Sequence, residues 1–488
     1  MLLLTTTVAL GFTCGTLDHL DEIAAAPRPP VFLAPPGDEL DLRDPFDAGP
    51  NLVTTEHFAI RWGGEVSFPI STVEAVEQAL EEIWIAEIEQ MGWPQPLGTD
   101  RYRLNVYFGS TGGNTPEISF TGAYVTSDEE GYPYIVVSPN LLAAYAFGDT
   151  ESVPGVLAHE FMHTIQSSVD SFVYLGRAGW LWEASAEWAV QRVYPDNGII
   201  GSAVGAYTLL PHVSVDHFDY PDEGTLIESH HYGAEIFLAY LTELARDDAF
   251  LKETWLTSGP TDIPLDRFAE QLAEDGGSLE EAFLDFATRN VTFDDYAYGS
   301  EYAATTELYG DFFSSEDRRW AARVSRDGTD GYDAVRDKNL PWAWGYNHVL
   351  MLNPVGGELA VGVEADDLGS SGSPSTLGAA LVVVRDDEVE VVPVLWEGSS
   401  NEISYTSDGD ELYLVLVVAA TPEAFEPEET FGYSFRMEWT ERAFAEVASG
   451  GSDGPVSVTR ACACSSGTAA GGWAALLLLP LLVLRRRR

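Results

Sequence analysis

The sequence predicts an α+β domain, a mixed sheet followed by a helical part, and then a separate all-β domain. Three observations carry this. Strand-like alternation and a hairpin signal fill the stretch before residue 140. Helical periodicity dominates from Val153 to about Asn290, apart from the turn-rich residues between Pro195 and Gly224. After Trp342 only short β-type runs remain, separated by Gly, Asp, Ser and Pro clusters. A chain of 488 residues that is 45% hydrophobic can bury one or two sizeable cores.

Taken in order, His57 to Trp62 alternates like a strand. Val73 to Met91 places Val73, Val76, Leu80, Ile83, Trp84 and Ile88 on one helical stripe, and Gly92 stops it. Arg103 to Phe108 is a second strand. Phe120–Thr126 and Tyr134–Val137 are two more, joined through Ser127-Asp128-Glu129-Glu130-Gly131, a hairpin signal. The later runs are Leu359–Glu364, Ala380–Arg385, Val389–Trp396, Leu412–Ala419 and Tyr433–Trp439. Their spacing suggests a β-sandwich of roughly 100 residues. No internal repeat is evident.

Charge narrows the function classes. Lys and Arg number 25 against 78 Asp and Glu, a net charge of −53, and four of those 25 are the terminal Arg485 to Arg488. Such a potential repels phosphate backbones and excludes nucleic acid as a partner. The three cysteines, Cys14, Cys462 and Cys464, all lie near the ends, so the body of the chain has no disulfide to make.

The ends read as addresses. Leu2 to Phe12 is a short apolar run resembling a secretory signal core without a preceding basic residue. A lipobox ending at Cys14 is a poor match, because Thr13 stands where Gly, Ala or Ser is usual. Pro27 to Pro36 reads as an extended linker. At the other end, Cys462 and Cys464 precede an uncharged run from Ala469 to Leu484 and four arginines. As a helix that run would span roughly 24 Å, against a hydrocarbon core of ~30 Å. The order of Cys motif, apolar helix and Arg cluster resembles the MYXO-CTERM class of sorting signals. The resemblance implies processing near Cys462 and Cys464 and anchoring at the cell surface. The expected segments are a signal peptide at 1–20, a Pro-rich linker at 21–50, the mixed-sheet and helical domain at 51–337, a β-sandwich at 338–445, a linker with the Cys motif at 446–468 and the sorting segment at 469–488.

The chemistry sits in Val156 to Ile165, which contains H-E-x-x-H. Leu157, Phe161 and Ile165 form one buried stripe of a helix. His159 and His163 lie one turn apart on the other side and can reach one metal ion, with Glu160 addressing a metal-bound water. Pro154 suits the first turn. A second helical segment, Trp180 to Trp188, carries Glu183 and Glu187 on one face. Catalytic zinc needs three protein ligands and an open position, and His159, His163 and Glu183 supply that set. Glu187, one turn on, is placed to orient a ligand histidine.

At these residues the chain resembles the gluzincin metallopeptidases, most closely the peptidase MA-like group with its H-E-x-x-H and W-L-x-E-x-x-A-E pattern. The segment His231 to Leu241 resembles that group's downstream helix. With the C-terminal signal, the chain is similar to a myxobacterial family of cell-surface metalloproteases. The resemblance covers about residues 50 to 300. It implies one catalytic Zn2+, a two-lobed zincin-like fold with the active helix between the lobes, and hydrolysis of a peptide or protein substrate. The G-x-M-E-N segment of membrane-alanyl-type aminopeptidases has no counterpart, since the nearest stretch is Thr121-Gly122-Ala123-Tyr124-Val125. An endopeptidase is therefore favoured.

The reaction also needs a donor facing the developing oxyanion. Tyr232 ranks first, His231 second, and His230 is a further candidate. The strand Phe120–Thr126 would offer main-chain pairing to substrate. Asp327 to Asp333 is rich in oxygen donors and is a weak Ca2+ candidate, without full EF-hand spacing. The expectation is a secreted zinc endopeptidase, anchored at the cell surface, in which Glu160 is general base and then proton donor. Membrane contact would run only through the C-terminal anchor. The rival expectation is an inactive zincin-like receptor or adhesion protein acting through the β-sandwich.

Overall fold

The computed structural model describes residues 13–29, 39–174, 176–195, 203–219, 225–325, 328–352, 354, 356–386, 388–394 and 400–441. Residues 1–12, the Cys462/Cys464 motif, the apolar run and the terminal arginines lie outside them. Among the described residues no helix is long and apolar enough to cross a membrane.

The first sheet is six-stranded and mixed. Its strands are β1 (Thr13–Cys14), β2 (Asn51–Thr54), β3 (Phe58–Trp62), β4 (Leu104–Phe108), β5 (Gly122–Ser127) and β6 (Pro133–Val137), in the order β1-β5-β6-β4-β3-β2. β3, β4 and β6 run parallel to their neighbours in that series, whereas β5 pairs antiparallel with β6 and β2 with β3. Every residue of β4 and β6 is buried, because the sheet is covered on both faces. Phe58, Ile60, Val106, Phe108, Val125, Ile135 and Val137 join the main core. The alternate residues Tyr107, Tyr124, Tyr134 and Val136 form a second cluster with Ala48 and Ile118.

Helix α1 (Ile70–Trp84) lays Val73, Val76, Leu80 and Ile83 into the core, continues as a wide turn to Gln90, and ends at Gly92, whose φ is +70°. The strand and helix positions expected before residue 140 are thus present, with β2 and β1 in addition. β1 belongs to a stretch that the sequence divides between leader and linker. Here residues 13–29 are folded: Leu17, Leu20 and Ile23 are buried in the main core, the last two on a short helix, Leu20–Ala25.

Two further helices, α2 (Ser152–Gln166) and α3 (Gly179–Val193), pack together and carry the motif residues. More helices follow, ending with α4 (Leu279–Arg289) and a helix at Gly299–Phe312. The remaining strands are β7 (Ala322–Val324), β8 (Asp333–Ala334), β9 (Tyr346–Leu352), β10 (Gly357–Ala365), β11 (Leu377–Val384), β12 (Val389–Val394), β13 (Ser400–Ser407), β14 (Tyr413–Ala420) and β15 (Tyr433–Glu441). They make a five-stranded sheet, β12-β11-β14-β9-β7, and a four-stranded one, β13-β10-β15-β8. The architecture is α+β.

β9 and β13 lie outside the expected β runs, and the reason is polar content. β9 buries Asn347 and His348, and β13 reads Ser-Asn-Glu-Ile-Ser-Tyr-Thr-Ser. The helical part meets the sheets through aromatic contacts: the Phe283 ring on α4 lies 5.6 Å from Trp344 and 6.2 Å from Tyr346. β7, on the helical side of residue 338, pairs with β9 beyond it.

Candidate metal centre

α2 begins where Asp149 accepts hydrogen bonds from the Ser152 amide (3.1 Å) and hydroxyl (2.6 Å). Leu157, Phe161 and Ile165 enter the core, with the Phe161 ring 5.8 Å from Phe58 and 5.9 Å from Trp84. The histidine face is not solvated. His159 is 5% exposed and His163 fully buried, because α3 lies against them. Gln166 ties the two helices by donating to the Trp182 carbonyl (3.0 Å) and the Ser185 hydroxyl (2.9 Å).

The motif side chains converge. His159 Nε2 lies 3.1 Å from His163 Nε2 and 3.1 Å from Glu183 Oε2, and His163 Nε2 is 3.5 Å from Glu183 Oε1. The opposite nitrogens are engaged elsewhere: His163 Nδ1 by Gln166 Oε1 at 2.6 Å, and His159 Nδ1 by Glu187 Oε1 at 3.1 Å. An oxygen acceptor at each Nδ1 fixes the proton there and leaves each Nε2 a lone pair. Two such lone pairs and a carboxylate then face one another in a buried space. Acceptors alone repel, so this set fits a cation.

Cys14 completes the cluster. Its Sγ is 3.3 Å from His163 Nε2, and one ligand atom from each of Cys14, His159, His163 and Glu183 falls within 4.8 Å of the others, all four residues being buried. It is the only such group of three or more among the described residues. In the Ca2+ candidate loop, Asp327 lies outside the described residues, and exposed Asp330 and Asp333 belong to no such group.

Electrostatics agree with a cation-seeking site. Burial opposes the Glu183 charge, but the His163 and His159 rings outweigh it and hold the carboxyl at about 2. Burial lowers His163 to about 4, against the pull of Glu183. For His159 burial works downward, yet Cys14, Glu183 and Glu187 together raise it well above the usual value. A field that draws a proton there also draws a metal ion. Glu160 is pushed up to about 7 by burial, against the pull of His159. Its Oε2 accepts from Thr16 Oγ1 at 2.8 Å, and Oε1 has no hydrogen-bond partner.

The downstream segment arrives as a short helical turn, His230–Gly233. The half-buried Tyr232 ring sits 6.2 Å from His159 and 4.3 Å from His231. His231 is buried with neither ring nitrogen hydrogen-bonded, and burial lowers it to about 4. The His230 ring lies 4.5 Å from that of Tyr207, tilted 31° to it. The expected docking strand, β5, lies next to the centre, but its outer edge is occupied: β1 pairs with it in parallel, Thr13 opposite Gly122 and Cys14 opposite Ala123.

Five residues near the centre went unread in the sequence. Gln166 follows His163 by three positions on the same helix face, a readable signal. Glu87, fully buried, falls on the apolar stripe of the first helix, four residues after Ile83. Glu235 is 2% exposed in the segment after Tyr232. Cys14, read in the sequence only as a poor lipobox match, and Thr16 gave no signal of a place in the centre, being about 145 positions from the motif they meet.

These features define an α+β protein with a buried Cys/His/His/Glu group that could hold a metal ion. The chain belongs to DUF6055, a family of unknown function whose model matches residues 51–442. No curated protein matches. Among solved structures, one described as "A novel family GH115 4-O-Methyl-alpha-glucuronidase, BtGH115A, with specificity for decorated arabinogalactans" is similar at 11% identity and a TM-score of 0.15. The likeness covers 71% of this chain and 53% of that one. At that score it carries no functional argument.

Proposed function

We propose that this protein is a zinc-dependent endopeptidase of gluzincin type, secreted and held at the cell surface, whose two C-terminal sheets form a β-sandwich beside the catalytic part. The observation that carries the reading is the convergence of His159 Nε2, His163 Nε2 and Glu183 at 3.1–3.5 Å, with Glu160 buried beside them. Zinc held by these three residues would supply Lewis acidity toward a scissile carbonyl and a water. Glu160, poised at about 7, takes the proton from the attacking water and returns it to the leaving amine. Glu187 and Gln166 hold the two imidazoles in the required tautomer. Tyr232, whose ring lies 6.2 Å from that of His159, is the donor to the developing oxyanion.

The test is metal content together with hydrolysis of a denatured protein, with and without chelator. Glu160→Gln should keep its zinc and lose nearly all turnover; wild-type turnover in that variant would refute the assignment. A second reading has one observation in its favour. Four protein donors, Cys14 included, form a closed set of the kind that structural zinc sites use. On that reading the chain is an inactive receptor or adhesion protein, and the Glu160→Gln variant would differ from wild type in nothing measured.

A further inference from the structure

Three contacts made by residues 13–16 fall on three different parts of the proposed machinery. Cys14 Sγ lies among the metal donors, 3.3 Å from His163 Nε2. Thr16 Oγ1 donates to Glu160 Oε2 at 2.8 Å, covering the general base. The backbone takes the edge of β5, Gly15 N–H donating to the Ala123 carbonyl at 3.0 Å, while Val125 N–H donates to Thr16 Oγ1 at 2.8 Å. A substrate strand pairing with β5 would need those same two backbone groups.

The segment is fitted to this place. A Cβ on Gly15 would come within 2.4 Å of the Phe120 ring and 3.2 Å of Tyr124 Cβ, so glycine permits the close approach. Downstream, Leu17, Leu20 and Ile23 are buried in the core. Arg28 then donates to the carbonyls of Ser167, Ser168 and Val169, just past the end of α2. The remaining donors, His159, His163 and Glu183, stand on two helices locked in the main core, whereas Cys14 stands on a two-residue edge strand.

We propose that Cys14 is a releasable fourth metal ligand, and that residues 13–29 form a built-in strap keeping the centre latent. The inference rests on the metallopeptidase reading and adds its regulation. Three core donors leave the cation one open position, and the Cys14 sulfur fills it. Ligation replaces the S–H bond by a sulfur–metal bond and releases the proton to solvent. Activation then consists of withdrawing residues 13–16, which uncovers the open position, Glu160 and the β5 edge in a single movement. The arrangement requires the expected leader of residues 1–20 to end before Thr13, because lipidation of Cys14, or removal of the chain through it, is incompatible with it.

The test uses the full chain loaded with cobalt or zinc. In the wild type, X-ray absorption should find one sulfur at about 2.3 Å from zinc, and iodoacetamide should reach Cys14 only after chelation. Acetohydroxamate, a small metal-binding probe, should leave the cobalt spectrum of the wild type unchanged. Cys14→Ala should keep the metal with nitrogen and oxygen ligands only, and should respond to acetohydroxamate. With the open form populated at roughly 0.1–10%, freeing it should raise hydrolysis of a denatured protein about 10- to 1,000-fold. Cys14→Ser, smaller in perturbation, serves if the alanine variant does not fold. A wild type without a sulfur ligand, or one that binds acetohydroxamate as well as the variant does, overturns the latch. So does a mature chain whose N-terminal sequence starts after Cys14 or whose Cys14 carries lipid. A variant that opens to acetohydroxamate yet cuts no peptide upholds the latch and overturns the peptidase reading instead.

Discussion

Gln166 Oε1 lies 2.6 Å from Nδ1 of His163, and the same side chain reaches Trp182 and Ser185 on the facing helix. One amide therefore sets the orientation of a metal-facing imidazole and the spacing of the two helices that carry the donors. Gln166→Leu should weaken metal affinity by about 10–100-fold, the usual cost of losing such a partner. Gln166→Glu keeps the acceptor for His163 but loses the donation to the Trp182 carbonyl, so it should recover only part of it. Competitive titration with a chelator measures both. Equal affinity in the leucine variant would remove Gln166 from the site.

Glu183 and Glu187 should differ in severity. Glu183 is fully buried and faces both Nε2 atoms, whereas Glu187 is partly exposed and meets only His159 Nδ1. Glu183→Gln should empty the site at metal concentrations that still fill Glu187→Gln, which loses about 10–100-fold. Metal analysis after dialysis gives the order, and the reverse order would exchange the two roles.

Tyr232→Phe should retain metal and fold. Loss of a single oxyanion donor typically costs about 10²–10³ in kcat, with little change in KM. The comparison is best made in the Cys14→Ala background, where the site is open. A rise in KM with kcat unchanged would mark Tyr232 as a substrate contact without a role in the chemistry.

Acid should destabilise the protein through buried neutral histidines. His348 donates from Nε2 to the Ala287 carbonyl at 2.9 Å, and burial lowers its pKa to about 4; burial lowers His212 likewise to about 4, helped by Arg318. An unfolded histidine titrates near 6.5. The unfolded chain then binds more protons between those values, so stability is full above about pH 6.5 and is lost as pH falls through about 4. Each residue accounts for on the order of 3 kcal/mol over that window. His348→Gln keeps a donor for Ala287 without titrating. Urea midpoints from pH 7 to 4.5 should fall less steeply in that variant than in the wild type, and parallel slopes would exclude His348 as a contributor.

Phe161 touches Phe58 and Trp84 from the helix between the two histidines. Phe161→Ala should cost about 3–5 kcal/mol and loosen metal binding as the helix shifts. Thermal unfolding with and without zinc separates the two effects.

Much of the site was legible because its spacing is local. His159 and His163 share a helical turn, and so do Glu183 and Glu187; a 3.6-residue period is enough to put each pair on one face. Gln166 was equally local and could have been read. Cys14 could not: its place depends on a two-residue parallel pairing across more than a hundred positions, which no periodicity encodes. In the fold, strands with clean alternation such as Leu359, Val361 and Val363 were readable. β9 was hidden by Asn347 and His348, whose burial is made tolerable by specific partners, the Asn339 carbonyl and the Ala287 carbonyl.

Thirteen of the fifteen residues of α2 are buried, Pro154 and Val156 being the others. A helix with no solvent face has almost no freedom to drift. Its apolar side is fixed by volume, its histidine side by chemistry, and the boundary between them by Gln166. Selection on this protein will therefore be felt unevenly. Surface loops and the acidic exterior can accept exchanges at little cost, while a scan of all substitutions through α2 should tolerate variety at Pro154 and Val156 and reject it elsewhere, whether or not the position faces the metal.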